Sequence, residues 1–177
     1  MGKLTVQNIK ELFYALDKKL AQERVTGELF VVGGAVMCLV YDARPSTLDV
    51  DGYFKPSRIV RELAAQVGIE IGIGEKWLND GVKGFLSEKG NFNHFLDLPN
   101  LRVFCASPRY LLAMKCLAMR IGEEFHDLAD IRYLLRYLNI ETYEEALKII
   151  QELYPLERFP QKTLYALEEL IEDSKII

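Results

Sequence analysis

The run ELFVV, residues 28–32, constrains this chain more than any other stretch. It is of strand length and apolar from Leu29 onward, which suits a strand at the centre of a sheet, buried on both faces. Gly33 and Gly34 follow directly, and then AVMCLVYD, a pattern that predicts a short buried helix beginning at the glycines. ARPS makes a turn. TLDVDGYF (47–54) predicts a second strand with Leu48, Val50 and Phe54 on one face. That strand contains Asp49 and Asp51, although aspartate is a poor strand former and is rarely buried without a partner.

The flanking segments are easier to read. Val6, Ile9, Phe13, Leu16 and Leu20 recur at steps of three and four, so residues 6–24 are expected to form an amphipathic helix capped by Thr5. Pro56 and Ser57 open another helix, with Ile59, Val60, Leu63 and Val67 on its apolar side. WLNDGVKGFL (77–86) reads as a helical turn followed by a short strand, and LRVFCA (101–106) as a third strand. From Ser107, an N-cap followed by Pro108, the sequence turns helical. A helix is expected to about Ile121, where Gly122 stops it, and the next over about 124–138. Thr142 and Glu145 spell a capping box for a helix over 143–153. Pro155 and Pro160 break the chain before a last helix through Leu164, Leu167, Leu170 and Ile171. The expected fold class is α+β: a small mixed sheet packed with helices (1–106), followed by a helical C-terminal half (107–177) packed on that core as one compact unit.

A chain of 177 residues, half of them apolar, is long enough for one good core. Its net charge of −4 argues against a broad duplex-binding surface, which needs clustered Lys and Arg, but leaves room for a local basic groove. Cys38, Cys105 and Cys116 are far apart in apolar surroundings and read as reduced, buried thiols; no zinc-ligand spacing exists. No apolar run approaches membrane-spanning length and no signal-peptide pattern opens the chain, so a cytoplasmic location is expected.

Residues i and i+2 of a strand share a face, so Asp49 and Asp51 are expected to project together, with Thr47 ahead of them on the same side. Two adjacent carboxylates repel unless a cation lies between them or one takes up a proton. Oxygen ligands alone suit Mg²⁺ or Mn²⁺. Gly33 and Gly34, at a strand-to-helix junction, offer backbone N–H groups and close approach to a phosphate. Metal at the carboxylates and phosphates at the glycines compose a metal–triphosphate site. The plainer readings are a pair of exposed turn aspartates and a glycine pair needed for tight packing.

Lys115 stands inside LLAMKCLAM, where every neighbour for several positions is apolar. Either its ammonium reaches a phosphate, or it snorkels or pairs in the core. On a wheel of about 100° per residue, Asp127 is centred on the apolar stripe of its helix, and Asp130 lies to one side. A buried Lys115–Asp127 pair joining two consecutive helices is the structural alternative. His126–Asp127 spells the dyad of a metal phosphohydrolase family, but only His94 remains as a further histidine, so that reading fails. Trp77 is expected in the core, with base stacking as its alternative.

The ordered set resembles the nucleotidyltransferase superfamily, the DNA-polymerase-β-like fold. VVGGAVMCLVYDARPSTLDVDGYF looks like the minimal nucleotidyltransferases related to AbiE-type abortive-infection toxins, in which an arginine and a Thr/Ser-x-Asp-x-Asp stretch follow the glycine pair. Here these are Arg44 and Thr47–Asp51. YLLAMKCLAMR and HDLADIRYLL are similar to the lysine and aspartate helices of that group. The resemblance covers about residues 28–138. It implies transfer of a nucleotidyl group from a nucleoside triphosphate to an RNA end, a protein or a small-molecule hydroxyl. It implies Asp49, Asp51, Lys115 and Asp127 as catalytic residues, with Asp49 and Asp51 on Mg²⁺ or Mn²⁺. Gly33, Gly34, Arg44, Thr47 and Lys115 would bind the nucleotide, and an antitoxin protein would be a partner. Many superfamily enzymes carry a third carboxylate on a later strand. LRVFCA has none, leaving Asp97 or Asp80 as candidates, or an inactive nucleotide-binding module with the same fold.

Overall fold

The computed structural model describes residues 2–122 and 125–174. The expected start of the helix over 124–138 lies outside the described residues. The chain divides into two compact units: Met1–Gly84 with Phe92–Ala106, and Phe85–Asn91 with Ser107–Ile177.

In the first unit β1 (Leu4–Thr5) leads straight into α1 (Val6–Gln22). The Thr5 hydroxyl accepts from the Asn8 amide while the Asn8 side chain accepts from Thr5, a reciprocal cap that fixes the helix start. β2 (Gly27–Val32), α2 (Gly33–Leu39), β3 (Ser46–Thr47), β4 (Val50–Lys55), α3 (Ser57–Ile71), β5 (Leu78–Asn79), β6 (Phe92–Asp97) and β7 (Leu101–Ala106) follow. Five strands form a mixed sheet in the order β5-β4-β2-β7-β6. ELFVV lies at its centre, antiparallel to β4 and parallel to β7. β5 runs parallel to β4, β6 antiparallel to β7, and β1 pairs separately with β3.

One face of the sheet carries Leu29, Val31, Val50, Phe54, Leu101, Val103 and Cys105, all buried. Helices α1 and α3 cover it: Gly27 abuts Leu20 of α1 and Val60 of α3. Burying a core aliphatic side chain is worth about 1.5–3 kcal/mol, so this layer holds the unit together. On the opposite face Tyr53, Phe30 and Phe104 stand on neighbouring strands, with ring centroids 4.4 and 5.0 Å apart and nearly parallel planes. Asp51 belongs to this second face, two residues before Tyr53.

The structure departs from the sequence reading at the strand of the aspartates. Ser46–Thr47 pairs with β1, the chain bends at Leu48, and β4 starts only at Val50. Leu48, expected beside Val50, is consequently 62% exposed. In WLNDGVKGFL the expected order is reversed: a two-residue strand comes first, and a 3-10 turn over Gly81–Phe85 follows. Pairing with β4 draws Leu78 and Asn79 into the sheet, and the Val50 amide donates to the Trp77 carbonyl at 2.7 Å. Trp77 is fully buried, its indole N–H donating to the Ala64 carbonyl at 2.7 Å, so it is a core residue and not a stacking surface.

The second unit contains α4 (Pro108–Leu117), α5 (Asp127–Tyr137), α6 (Tyr143–Leu153) and α7 (Gln161–Ser174). Helix α4 is its spine, with Tyr110–Met114 and Cys116 all buried and the other helices against it. The Ser107 hydroxyl caps α4, and Thr142 and Glu145 form the expected capping box of α6. α4 ends at Leu117, short of Ile121. The Arg120 amide donates to the Asp127 carboxylate at 3.1 Å instead of continuing the helical ladder. The segment Phe85–Asn91 is tied in by the Ser87 amide on the Tyr110 hydroxyl (2.8 Å) and by the Tyr154 hydroxyl on the Phe85 carbonyl (2.5 Å). Among the described residues no helix is long and apolar enough to cross a membrane. All three cysteines are buried free thiols; burial pushes Cys105 and Cys116 up to about 12.

Candidate functional site

Gly33 and Gly34 join β2 to α2, and both lack a side chain for a visible reason. Gly33 has φ +65°, a left-handed conformation that favours glycine, and a Cβ on it would stand 3.2 Å from Oδ2 of Asp51. At Gly34 a Cβ would stand 1.6 Å from Nη2 of Arg44. The missing side chains thus admit a carboxylate at one glycine and a guanidinium at the next. The space that a side chain at Gly34 would fill is used by Arg44. The cation itself is delivered to the glycine turn.

Arg44 is held there by Thr47, whose hydroxyl accepts from Nη2 at 3.2 Å. Thr47 is buried and paired with Leu4 across the β1–β3 ladder, so its hydroxyl serves the arginine. Asp51 lies in β4 opposite Val32, the last residue before the glycines, which explains its contact with Gly33. Asp49 precedes the strand. Buried Val50 separates the two aspartates, which are both half-buried, the alternation of side chains that share one side of an extended chain. Asp49 is tied by Asn79, whose amide Nδ2 donates to Oδ2 at 2.9 Å.

Two carboxylates make an oxygen-only donor set. That set fits Mg²⁺ or Mn²⁺, which commonly take one or two carboxylates and complete their shell with water and phosphate. Among the described residues no group of three or more His, Cys, Asp or Glu side chains could hold a metal by itself. Neither candidate for a third carboxylate joins the pair by any bond seen here. Asp80 bonds Arg61 and, at 2.5 Å, Lys83, and the Lys83 hydrogen bond holds its carboxyl below the usual range. Asp97 ends β6 as an exposed residue, 3.2 Å from His94.

The helical unit holds a charged cluster of its own. Lys115 is only 7% exposed, and its Nζ lies 2.6 Å from Oδ2 of Asp130 and 3.6 Å from Oδ1 of Asp127. Asp127 is bound more closely by Arg120, through Nε at 3.0 Å and the backbone amide at 3.1 Å. The expected Lys115–Asp127 pair is therefore a four-membered arrangement of two cations and two carboxylates, in which Asp130 is the nearer partner of the lysine. Asp127 stands at the first residue of α5, where it reaches back to Arg120, while Asp130 comes round one turn later. Burial pushes the Asp127 carboxyl up, but the Arg120 hydrogen bond and the Lys115 charge outweigh it and hold the group below the usual carboxylate range.

Sequence reasoning passed over Asn79, a neutral amide beside the more conspicuous Asp80, and undervalued Asp130. Each had one legible signal: Asn79 follows the apolar pair Trp77–Leu78, and Asp130 lies three residues from Asp127. No protein-family model, no curated protein and no solved structure matches the chain.

Proposed function

We propose that the protein is a minimal, metal-dependent nucleotidyltransferase of the cytoplasm, moving a nucleotidyl group from a nucleoside triphosphate to a hydroxyl. An RNA end is the first choice of acceptor, ahead of a protein or small-molecule hydroxyl. One observation carries the reading: consecutive glycines admit the Asp51 carboxylate and the Arg44 guanidinium to the same turn, with Asp49 two residues from Asp51. Acid for a cation and cation for a phosphate stand side by side, which a pair of inert turn aspartates does not require.

In this reading Asp49 and Asp51 hold Mg²⁺ or Mn²⁺, which supplies neutralisation of phosphate charge when bound. Arg44 offers planar N–H donors to phosphate oxygens beside Gly33 and Gly34. Asp49 or Asp51 accepts the proton of the attacking hydroxyl. The acceptor oxygen bonds to the α-phosphorus as the bond to the β-phosphate oxygen breaks, and pyrophosphate leaves with its charge met by Arg44. By the resemblance, Lys115 and Asp127 are further catalytic residues, and an antitoxin protein is a partner.

A second reading, a nucleotide-binding module that performs no transfer, is favoured by the bonds that occupy Asp80 and the exposure of Asp97, since neither supplies a third carboxylate. Incubation with each labelled nucleoside triphosphate, Mg²⁺ or Mn²⁺, and total cellular RNA and protein separates the two. Label transferred to RNA or protein supports the enzyme. Metal-dependent nucleotide binding without transfer supports the module.

A further inference from the structure

We infer that Asn79 is a positioning residue of this site: its side-chain amide holds the Asp49 carboxylate in the orientation in which Asp49 and Asp51 share one divalent cation. The inference rests on the metal-site reading above. Asp49 precedes β4, which begins at Val50, so it lies outside the strand that carries Asp51.

Asn79 is placed for the task by the sheet. β5 lies parallel to β4 with Asn79 registered opposite Asp51, so the amide rises beside the strand that carries one carboxylate and bonds the other at 2.9 Å. The two ends of the amide are distinguished by the chain itself. The Gly81 amide donates to Oδ1 at 3.2 Å, which leaves the NH₂ end for the carboxylate. The same bond starts the turn that carries Asp80 away to Arg61 and Lys83.

The chemistry of the residue suits the role. A lysine or arginine in its place would neutralise Asp49 and compete with the cation, whereas an aspartate would add a third like charge. A neutral donor satisfies one carboxylate oxygen and leaves the charge of the pair intact. Groups that orient metal ligands in this way typically change metal affinity by about 10–100-fold when removed.

The test is Mn²⁺ titration of the full chain, followed by loss of the free-ion electron paramagnetic resonance signal. It compares the parent protein, Asn79→Ala, Asp49→Asn and Asp51→Asn. The expected result is about 10–100-fold weaker Mn²⁺ binding for Asn79→Ala, against loss of Mn²⁺ binding in Asp49→Asn and Asp51→Asn. Asn79→Ser, which keeps an acceptor for Gly81, is expected to weaken binding similarly and serves if the alanine variant folds poorly. Parent-like affinity in folded Asn79 variants, while the aspartate variants lose Mn²⁺, would overturn the role of Asn79 alone. Absence of Mn²⁺ binding by the parent, or aspartate variants that bind like it, would overturn the metal site and the inference with it.

Discussion

The guanidinium of Arg44 fills the place that a side chain at Gly34 would occupy: a Cβ there would stand 1.6 Å from Nη2 of Arg44 and 2.7 Å from Oγ1 of Thr47. Gly34→Ala must therefore displace the arginine. Because the obstructing group ends a flexible side chain, the fold should survive at a cost of about 1–3 kcal/mol. In an Arg44→Ala background the same change should cost clearly less, since two of the three nearest atoms belong to Arg44. Urea denaturation of the four proteins measures this. Equal costs in both backgrounds would mean that the alanine collides with something other than Arg44.

Lys115 and its carboxylates give a second prediction. With Nζ 2.6 Å from Asp130, Lys115→Met leaves a buried carboxylate without its cation. Breaking a buried pair this way costs about 3–5 kcal/mol. Adding Asp130→Leu should recover most of the loss. Adding Asp127→Leu should not, because the Lys115–Asp130 contact is still missing and Arg120 loses its carboxylate as well. Denaturant midpoints decide between the two. If Lys115 also serves phosphate, Lys115→Met should lose triphosphate affinity as well as stability, and neither second change should restore that affinity.

Acid stability follows from Asp127. Its folded pKa lies below the unfolded carboxylate value of about 3.9, owing chiefly to Arg120 and Lys115 acting against burial. Such a group contributes stability that is complete above the unfolded value and lost as pH falls through the lower, folded one. Arg120→Ala removes the guanidinium bond, so the folded pKa should rise and the acid limb of stability should move to higher pH. Urea midpoints measured across the acid range for both proteins check the shift. A limb that stays in place would remove Arg120 from the account.

Much of this architecture was legible because its signals are local. ELFVV announces a central strand by being apolar on both faces, Ser107–Pro108 announces a helix start, and Thr142 with Glu145 announces another. The residues of the candidate site were legible in type: Asp49, Asp51, Gly33, Gly34 and Arg44 all lie in one stretch. What the sequence hid depends on contacts between distant segments. Leu48 fits a strand pattern, but pairing of Ser46–Thr47 with Leu4–Thr5 bends the chain and turns it out to solvent. Asn79 has meaning only because β5 adds to the edge of the sheet beside β4. β6 was missed because FNHFLD is half-exposed and carries a register shift between His94 and Leu96, which blurs any alternation. At Lys115, a helical wheel identifies the apolar stripe but not which of two nearby aspartates the next helix brings closer.

The central claim is that Asp49 and Asp51 together hold the cation on which nucleotide binding depends. Calorimetric titration of the parent, Asp49→Asn and Asp51→Asn with each nucleoside triphosphate, in Mn²⁺ and in EDTA, tests it most directly. The account predicts that the parent binds a triphosphate only with the metal present. Each asparagine variant should lose that binding while its unfolding midpoint stays unchanged or rises slightly, since a like-charge repulsion is gone. Parent-like binding of nucleotide and metal by both variants would contradict it.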